Sequence, residues 1–270
     1  MQNVPEILGI IAGSGVYPAA MAAGARRAGV ARVAVAAFVD ETDPVLESSI
    51  EAWEWLKVGQ LGKLSKFLQR HGVKQAVMCG QIAPKNLFAL SPDLRLLMML
   101  ARLKERNAET LFGGIADELA KDGITLLPAI SFLEDHLPAA GHLYGPVRKP
   151  KELLDVVFGL KIARETSRLD IGQTVVVRRG TVLAVEAFEG TNECIKRGGS
   201  MGKGKATVVK VSKPNQDFRF DVPVVGPKTI ETAAAAGILV LAIEAGRTLL
   251  LEKEETARLC GQLNITLVAV

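Results

Sequence analysis

The second half of the chain carries acidic residues that could support phosphoryl chemistry. Four of them are candidate metal ligands: Glu186, Glu189, Asp217 and Asp221. Carboxylate oxygens are the hard ligands that Mg²⁺ prefers, and a bound Mg²⁺ can also bridge phosphate oxygens. The chain contains only three histidines, which leaves few parts for a dinuclear histidine site or a histidine-paired nucleophile. We therefore expect a hydrolytic mechanism to depend on carboxylates and Mg²⁺.

Asp221 is the most informative of these acids because of its neighbours. It lies between apolar residues in the segment Phe220–Thr229, just before the rigid turn Gly226-Pro227. A buried acid needs a partner, and the helix that follows this turn could present its N-terminus to an anion. Lys210, Lys213 and Lys228 could offset phosphate charge. Asp221 is thus the strongest candidate among these carboxylates; the alternative is an aspartate that caps a turn.

A glycine-containing loop near the N-terminus is a second candidate site. Gly13, Ser14 and Gly15 follow an apolar run and precede a predicted helix, where backbone N–H groups could hold a phosphate. The third glycine of a dinucleotide fingerprint is replaced by Pro18, so the match is only partial. Asp40 could serve as a ribose-binding acid, which keeps an NAD(P)-dependent oxidoreductase open. A structural turn at the glycines and an ordinary polar loop at Asp40 are the alternatives.

A lysine- and glycine-rich segment, Gly198–Lys205, nearly matches a Walker loop. Ala206 stands where a Ser or Thr would bind Mg²⁺, and no strand precedes the segment, so it is not a P-loop. We expect a solvated surface loop; a mobile basic loop that touches a diphosphate is the alternative.

The elements that would position these residues form two patterns. In the first half, apolar runs alternate with helical segments, which predicts a Rossmann-like parallel sheet with helices over residues 1–140. Pro and Gly residues become frequent near Gly141, where we place the domain boundary. The second domain, residues 141–270, is predicted to be a mixed α/β domain with a hairpin at Arg178–Thr181.

Composition limits the setting and the partners. The net charge is +4, but basic and acidic residues are interspersed, which favours phosphate binding and not nucleic-acid binding. Three isolated cysteines and the absence of a basic start before an apolar run lead us to expect a cytoplasmic protein. The helical segment Pro92–Lys104 is apolar with a basic fringe. It suits acyl chains or peripheral contact with the inner membrane, although a core helix explains it equally well.

Several sequence blocks resemble the LpxI-type UDP-2,3-diacylglucosamine pyrophosphatases of lipid A synthesis. They are Arg168–Val177, Val182–Thr191, Lys213–Asp217 and Asp221–Thr229, with weaker matches at Gly9–Pro18 and Gly80–Pro84. The blocks fall in the same order along essentially the whole chain. Two residues depart from the family's sequence pattern: Asn192, after the Glu-Gly-Thr run, and Ala83, before Pro84. Neither is assigned as catalytic.

The resemblance implies a reaction and a site. The expected reaction is Mg²⁺-dependent attack of water on the diphosphate of UDP-2,3-diacylglucosamine, which releases UMP and 2,3-diacylglucosamine 1-phosphate (lipid X). The ligand would lie in a cleft between the domains, and Asp221 would be the essential aspartate. The expected substrate-binding residues are Gly13, Ser14, Gly15, Gly80, Gln81, Gln173, Lys210, Lys213, Gln216, Gly226 and Thr229. A homodimer is compatible with the sequence, as is a carrier that binds the glycolipid without cleaving it.

Overall fold

The computed structural model describes residues 4–82, 92–105, 108–214 and 216–270, and only the backbone of Ala108 and Glu109. Ala83, Pro84 and Asn215, which belong to the family-like blocks, lie outside the described residues. The chain forms two compact units. The first contains Met1–Glu134 together with Asp217–Asp221, and the second contains Asp135–Gln216 and Val222–Val270.

The first unit is built on a parallel sheet. Its strands are β1 (Ile7–Ala12), β2 (Arg32–Phe38), β3 (Ala52–Leu56), β4 (Gln75–Cys79) and β5 (Thr125–Leu126). Their order is β3-β2-β1-β4-β5, and all neighbours are parallel. This is the order of a doubly wound nucleotide-binding sheet, with the reversal between β1 and β4. The predicted Rossmann-like fold is therefore confirmed.

Helices in this unit follow the predicted rhythm. They are α1 (Tyr17–Arg27), α2 (Leu61–Arg70), α3 (Leu94–Arg102) and α4 (Ala108–Lys121). Helices α2, α3 and α4 bury residues such as Phe67, Met99 and Leu119 against one set of sheet side chains, among them Ile11 and Ala36. Apolar burial of this kind contributes about 25 cal/mol per Å² and accounts for the positions of these helices.

Helix α3 has both a side buried in the core and an exposed apolar side, which are the two alternatives that its sequence left open. Leu96 and Met99 are buried in the core, whereas Leu94, Leu97 and Met98 are 71%, 48% and 49% exposed. Over the described parts of the chain, no helix has the length and apolar character that a bilayer crossing requires.

A short segment from the second half of the chain packs within the first unit. The Ala129 N–H donates to the Phe218 carbonyl at 2.6 Å. The rings of Phe112, on α4, and Phe220 lie 5.5 Å apart between centroids. Residues 217–221, which include two of the predicted site carboxylates, therefore belong to the first unit although their chain neighbours belong to the second.

The second unit contains a mixed sheet. Its strands are β6 (Gly141–Tyr144), β7 (Thr174–Arg178), β8 (Thr181–Val185), β9 (Ala206–Lys210), β11 (Ile238–Ile243) and β13 (Thr266–Ala269), in the order β6-β13-β11-β9-β7-β8. The central strands β13, β11 and β9 are parallel, whereas β6, β7 and β8 pair antiparallel. A separate short parallel pair joins β10 (Val224–Val225) to β12 (Leu249–Leu250). Gly141, the predicted boundary, is the first residue of β6 and pairs with Ala269.

Helices cover both faces of this sheet. They are α5 (Leu154–Arg168), α6 (Thr191–Gly202), α7 (Pro227–Ala235) and α8 (Lys253–Gln262). Val156 and Ala163 of α5 pack with Val175 and Val209, whereas α6, α7 and α8 pack on the other side with residues such as Val176. The predicted hairpin joins β7 to β8, and the Asp155 carboxylate accepts its two turn N–H groups.

One expectation for this unit is wrong. Gly198–Lys205, predicted as a surface loop, is helical as far as Gly202. Its glycines permit close packing, because a Cβ on Gly198 would lie 2.4 Å from the Val176 Cβ and one on Gly199 would lie 2.2 Å from the Ala236 carbonyl oxygen. The sequence suggested a flexible loop because glycine is both a turn residue and a residue of tight helix contacts.

Candidate functional site

The first unit brings together two of its predicted site segments at the carboxyl ends of β1 and β4. Ser14 and Gln81 form an isolated antiparallel bridge, with N–H to oxygen distances of 2.8 Å and 3.2 Å. The Ser14 hydroxyl also donates to the Gln81 carbonyl at 2.7 Å. The fold thus brings these two segments together at the reversal point, a position where open parallel sheets bind ligands.

The same contacts use up some of the groups that were expected to bind phosphate. The Gly13 N–H donates to the Cys79 carbonyl at 2.8 Å, and the Ser14 N–H is occupied by Gln81. Added Cβ atoms on Gly13 and Gly80 would each lie 2.7 Å from a backbone atom of the opposite segment. These glycines therefore allow two backbones to approach. An anion site at this loop would depend on Gly15 and the N-terminus of α1.

Asp217 and Asp221 lie at the two ends of a tight turn in the first unit. The Asp221 N–H donates to the Asp217 carbonyl at 3.0 Å. The Asp217 carboxylate accepts from the Arg219 guanidinium at 3.0 Å and 2.6 Å. These hydrogen bonds lower the pKa of Asp217 below its usual value. Asp221 itself is half-buried at the end of the turn.

The second unit contains a buried polar network beside the carboxyl end of β9. The Lys210 Nζ donates to the Thr191 Oγ1 at 3.2 Å and to the Val224 carbonyl at 3.4 Å. The Thr191 hydroxyl donates to the Glu186 Oε1 at 3.0 Å. The Thr174 Oγ1 lies 3.4 Å from the Thr191 Oγ1. Glu186 and Lys210 are each only 7% exposed.

Strand register explains why these residues meet. Thr174 of β7 is paired with Lys210 of β9, and the Glu186 N–H, just after β8, donates to the Thr174 carbonyl at 2.8 Å. Residues that face each other on adjacent strands project from the same side of a sheet. Thr191, the first residue of α6, meets them from the helix layer on that side. Strands β7, β8 and β9 and the start of α6 are thus all needed to assemble the network.

Other predicted site residues have clear local roles. Glu189 accepts hydrogen bonds from Arg197 and the Ala187 N–H, and the Arg197 bond lowers its pKa. Lys213 forms an ion pair with Asp170. The Lys213 N–H also donates to the Gln216 Oε1 at 2.8 Å, while the Gln216 Nε2 is buried without a hydrogen-bond partner among the described residues.

The remaining predicted residues lie at the ends of elements in the second unit. The Gln173 carbonyl accepts the Val211 N–H at 2.9 Å, and its Oε1 is buried with no partner in the described parts of the chain. Gly226 immediately precedes α7, and the Thr229 N–H donates to the Gly226 carbonyl at 3.0 Å.

Two sequence profiles of one family together match almost the whole chain. The profile of the LpxI N-terminal domain matches residues 7–136, and the profile of the LpxI C-terminal domain matches residues 139–268. The chain belongs to the LpxI family. A curated relative from Caulobacter vibrioides, named UDP-2,3-diacylglucosamine pyrophosphatase LpxI, is 32% identical over 274 aligned residues that cover 97% of each chain.

Membership of the LpxI family confirms the resemblance that was inferred from the sequence blocks. The two LpxI profiles also divide the chain near the start of the second unit. They differ from the compact units at residues 217–221, which fall inside the C-terminal profile but pack with the first unit.

The four predicted metal ligands are divided between the two units of this LpxI chain. Asp217 and Asp221 belong to the first unit, and Glu186 and Glu189 to the second. Within the described ranges, no three His, Cys, Asp or Glu side chains form a group that could hold a metal. Asp217 and Glu189 each neutralise an arginine, so a metal would have to displace that partner. Mg²⁺ usually needs only one or two carboxylates together with substrate phosphates, and Asp221 fits that smaller requirement.

The two threonines that connect this LpxI network were not among the residues predicted from the sequence. Thr191 joins Glu186 to Lys210, and Thr174 lies beside it. A signal was present, because Thr191 follows Gly190 at the start of a helix and lies five residues after Glu186. This signal could be recognised only if α6 was predicted as a helix, and part of α6 was predicted as a loop.

Proposed function

We propose that this chain hydrolyses the diphosphate bond of UDP-2,3-diacylglucosamine to give UMP and 2,3-diacylglucosamine 1-phosphate. The observation that carries the proposal is the alignment with the Caulobacter vibrioides enzyme, which is 32% identical and covers 97% of both chains. Because both domains align, the comparison includes every unit that an active site could draw on.

Asp221 is the proposed catalytic carboxylate. The Asp217–Arg219 pair fixes the turn that carries it, since the Asp217 carbonyl accepts the Asp221 N–H while its side chain accepts from Arg219. Asp221 would either accept a proton from the attacking water or hold a metal ion. Mg²⁺, when bound, would polarise the diphosphate oxygens and offset the charge that develops as UMP leaves.

Lysines of the second unit are proposed to neutralise the diphosphate. Lys210 lies at the carboxyl end of a central parallel strand, where α/β sheets bind ligands. Lys213 is held by Asp170, and Lys228 is exposed in the first turn of α7. A fixed ammonium group stabilises a phosphoryl transition state because little reorganisation is needed when charge develops.

Peripheral contact with the cytoplasmic face of the inner membrane is also proposed. Leu94, Leu97 and Met98 give α3 an exposed apolar side, and Arg102 lies at its C-terminal end. Such a helix can insert shallowly among anionic lipids. Binding to anionic vesicles, compared between the wild type and a Leu94→Gln/Leu97→Gln variant, tests this contact; equal binding would contradict it.

Steady-state hydrolysis of UDP-2,3-diacylglucosamine tests the proposed function. The purified protein is assayed with Mg²⁺ and with Mg²⁺ plus excess EDTA. Its oligomeric state is measured as well, because a homodimer stays a prediction. We expect UMP release that EDTA abolishes and that added Mg²⁺ restores. Release that is insensitive to EDTA would contradict the metal requirement, and tight binding of NAD(P) with no release would favour an oxidoreductase.

A further inference from the structure

The buried network in the second unit has a defined hydrogen-bond direction. Glu186 is acceptor-only when ionised, so the Thr191 hydroxyl donates its single proton to Glu186 Oε1. The Thr191 oxygen then accepts from the Lys210 ammonium and can accept from Thr174. One threonine hydroxyl therefore connects a buried carboxylate to a buried ammonium group.

Burial of Glu186 and Lys210 increases the energetic importance of this connection. Glu186 and Lys210 are each 7% exposed, and the Glu186 Oε2 has no hydrogen-bond partner among the described residues. An isolated buried charge is costly, whereas opposite charges linked through a hydroxyl compensate each other. Loss of the Glu186 charge would remove this compensation from the Thr191-linked side of Lys210.

The Lys210 ammonium group is held by hydrogen bonds to two different segments. Lys210 is the last residue of β9, and its Nζ also donates to the Val224 carbonyl, in the short strand that leads through Gly226 into α7. The side chain is thus tied to the helix layer through Thr191 and to the Val224–Gly226 segment. Two attachments restrict a long side chain that would otherwise sample many rotamers.

We infer that Glu186 and Thr191 are positioning residues that hold the Lys210 ammonium group in one place for the diphosphate of the substrate. The inference rests on the proposed function and deepens it. It also changes the role of Glu186, which was predicted from the sequence to be a metal ligand. Its carboxylate is instead engaged with Thr191 as the counter-charge of a lysine.

Four matched variants test the inference. Thr191→Val removes the hydroxyl at nearly constant shape, and Thr191→Ser returns it. Glu186→Gln removes the charge but retains an acceptor, and Lys210→Met removes the ammonium group. Thr207→Val is the control, because Thr207 is also buried on β9 but projects from the opposite side of the sheet. Thermal melting establishes the folded fraction of each protein before kinetics are compared.

Hydrolysis and UDP binding are measured for every variant. We expect Lys210→Met to lower kcat/KM by about 10²-fold to 10³-fold and Thr191→Val and Glu186→Gln by roughly tenfold, through a higher KM together with a lower kcat. Thr191→Ser should recover most of the loss, and Thr207→Val should match the wild type. The Kd for UDP without Mg²⁺ should rise in the same order. A purely structural network would lower stability and the folded fraction but leave KM and Kd unchanged.

Each outcome decides the inference. Equal KM and UDP affinity in Thr191→Val, Thr191→Ser and the wild type would overturn it. A wild-type protein that binds UDP without hydrolysing substrate would refute the proposed function, while the UDP affinities of the variants would still support or overturn the role of Glu186 and Thr191. A wild type that neither binds nor hydrolyses would overturn both.

Discussion

The two units use the carboxyl ends of their parallel strands in different ways. In the first unit, the segments after β1 and β4 are joined backbone to backbone through Ser14 and Gln81. In the second unit, the end of β9 carries a buried lysine that is linked through a threonine to a glutamate. Added side-chain atoms should therefore disturb stability in the first unit, and lost polar groups should disturb chemistry in the second.

Residues 217–221 do not follow this difference between the two units. By sequence they belong to the C-terminal LpxI profile, yet they pack with the first unit through Phe218 and Phe220. The first unit thereby acquires the carboxylate of Asp221. The sheet edge of the first unit is built from backbone contacts and that of the second unit from charged side chains, but residues 217–221 bring a carboxylate into the first unit.

The largest expected effect is on turnover, from Asp221→Ala. We expect kcat to fall by about 10³-fold or more, because the carboxylate proposed to bind the metal or accept a proton is lost. UDP affinity and the melting temperature should change little. Asp40→Asn is the matched control, since Asp40 lies in an exposed loop with φ of 64°, a conformation that asparagine tolerates. Normal turnover by Asp221→Ala would remove the central element of the mechanism.

A change in the free energy of unfolding is expected from Gly80→Ala. Gly80 has φ of +91°, and its Cβ would lie 2.7 Å from the Gly13 carbonyl carbon. We expect a loss of about 3 kcal/mol, from backbone strain and steric overlap together. Gly15→Ala has similar strain at φ of +87° but no atom within 4 Å of the added Cβ, and should cost about 1 kcal/mol. Urea unfolding measures both; equal losses would show that close approach is unimportant.

Acid sensitivity should differ between an inner ion-pair cluster and an exposed ion pair. In the first unit, hydrogen bonds from Lys121 and Arg95 lower the pKa of Glu118, and those from Ser65 and Arg95 lower the pKa of Asp122. Lowered folded-state pKa values give stability that is present above about pH 4 and is lost as pH falls through the folded values. Arg95→Met should therefore reduce stability at pH 7 by about 1 kcal/mol and flatten its decline below pH 4.

The control for this cluster is Arg197→Met in the second unit. Glu189 and Arg197 form a more exposed pair, with side-chain exposures of 30% and 49%. Urea unfolding at several pH values should show a smaller effect than for Arg95→Met. An identical acid profile in Arg95→Met and the wild type would contradict the cluster's contribution.

The smallest predicted effect has the opposite sign. Gly113 in α4 and Gly261 in α8 are helical, and a Cβ on either would meet no atom within 4 Å. Gly113→Ala and Gly261→Ala should each raise the free energy of unfolding by about 0.5–1 kcal/mol, because alanine has less conformational freedom to lose. Gly198→Ala should instead destabilise the protein, since its Cβ would overlap Val176. Destabilisation by the first two variants would contradict this use of the glycine environments.

The first unit was largely predictable because its elements follow simple periodic patterns. Alternating apolar runs and helices indicated the parallel sheet, and the glycines after β1 and β4 were assigned to one site. Strand β3 was missed because Trp53, Glu54 and Trp55 give an edge strand with a mixed pattern. The hydrogen bonds of Gly13 and Ser14 could not be predicted, since they depend on how two distant segments meet.

The polar network of the second unit was predicted only in part. Lys210 and Glu186 were named, but each was assigned a separate role from its residue type. Their connection depends on strand register and on the start of α6, which the glycine-rich composition of Gly198–Gly202 obscured. The packing of residues 217–221 with the first unit likewise arises from tertiary contacts that no local pattern reports.

A single-turnover experiment tests the central claim most directly. Excess purified protein is mixed with UDP-2,3-diacylglucosamine and Mg²⁺, and UMP and the diacylated sugar phosphate are quantified by mass spectrometry over time. We expect both products to appear in equal amounts as the substrate disappears. Substrate that binds the folded protein yet stays intact would rule out the proposed hydrolysis and would indicate a carrier.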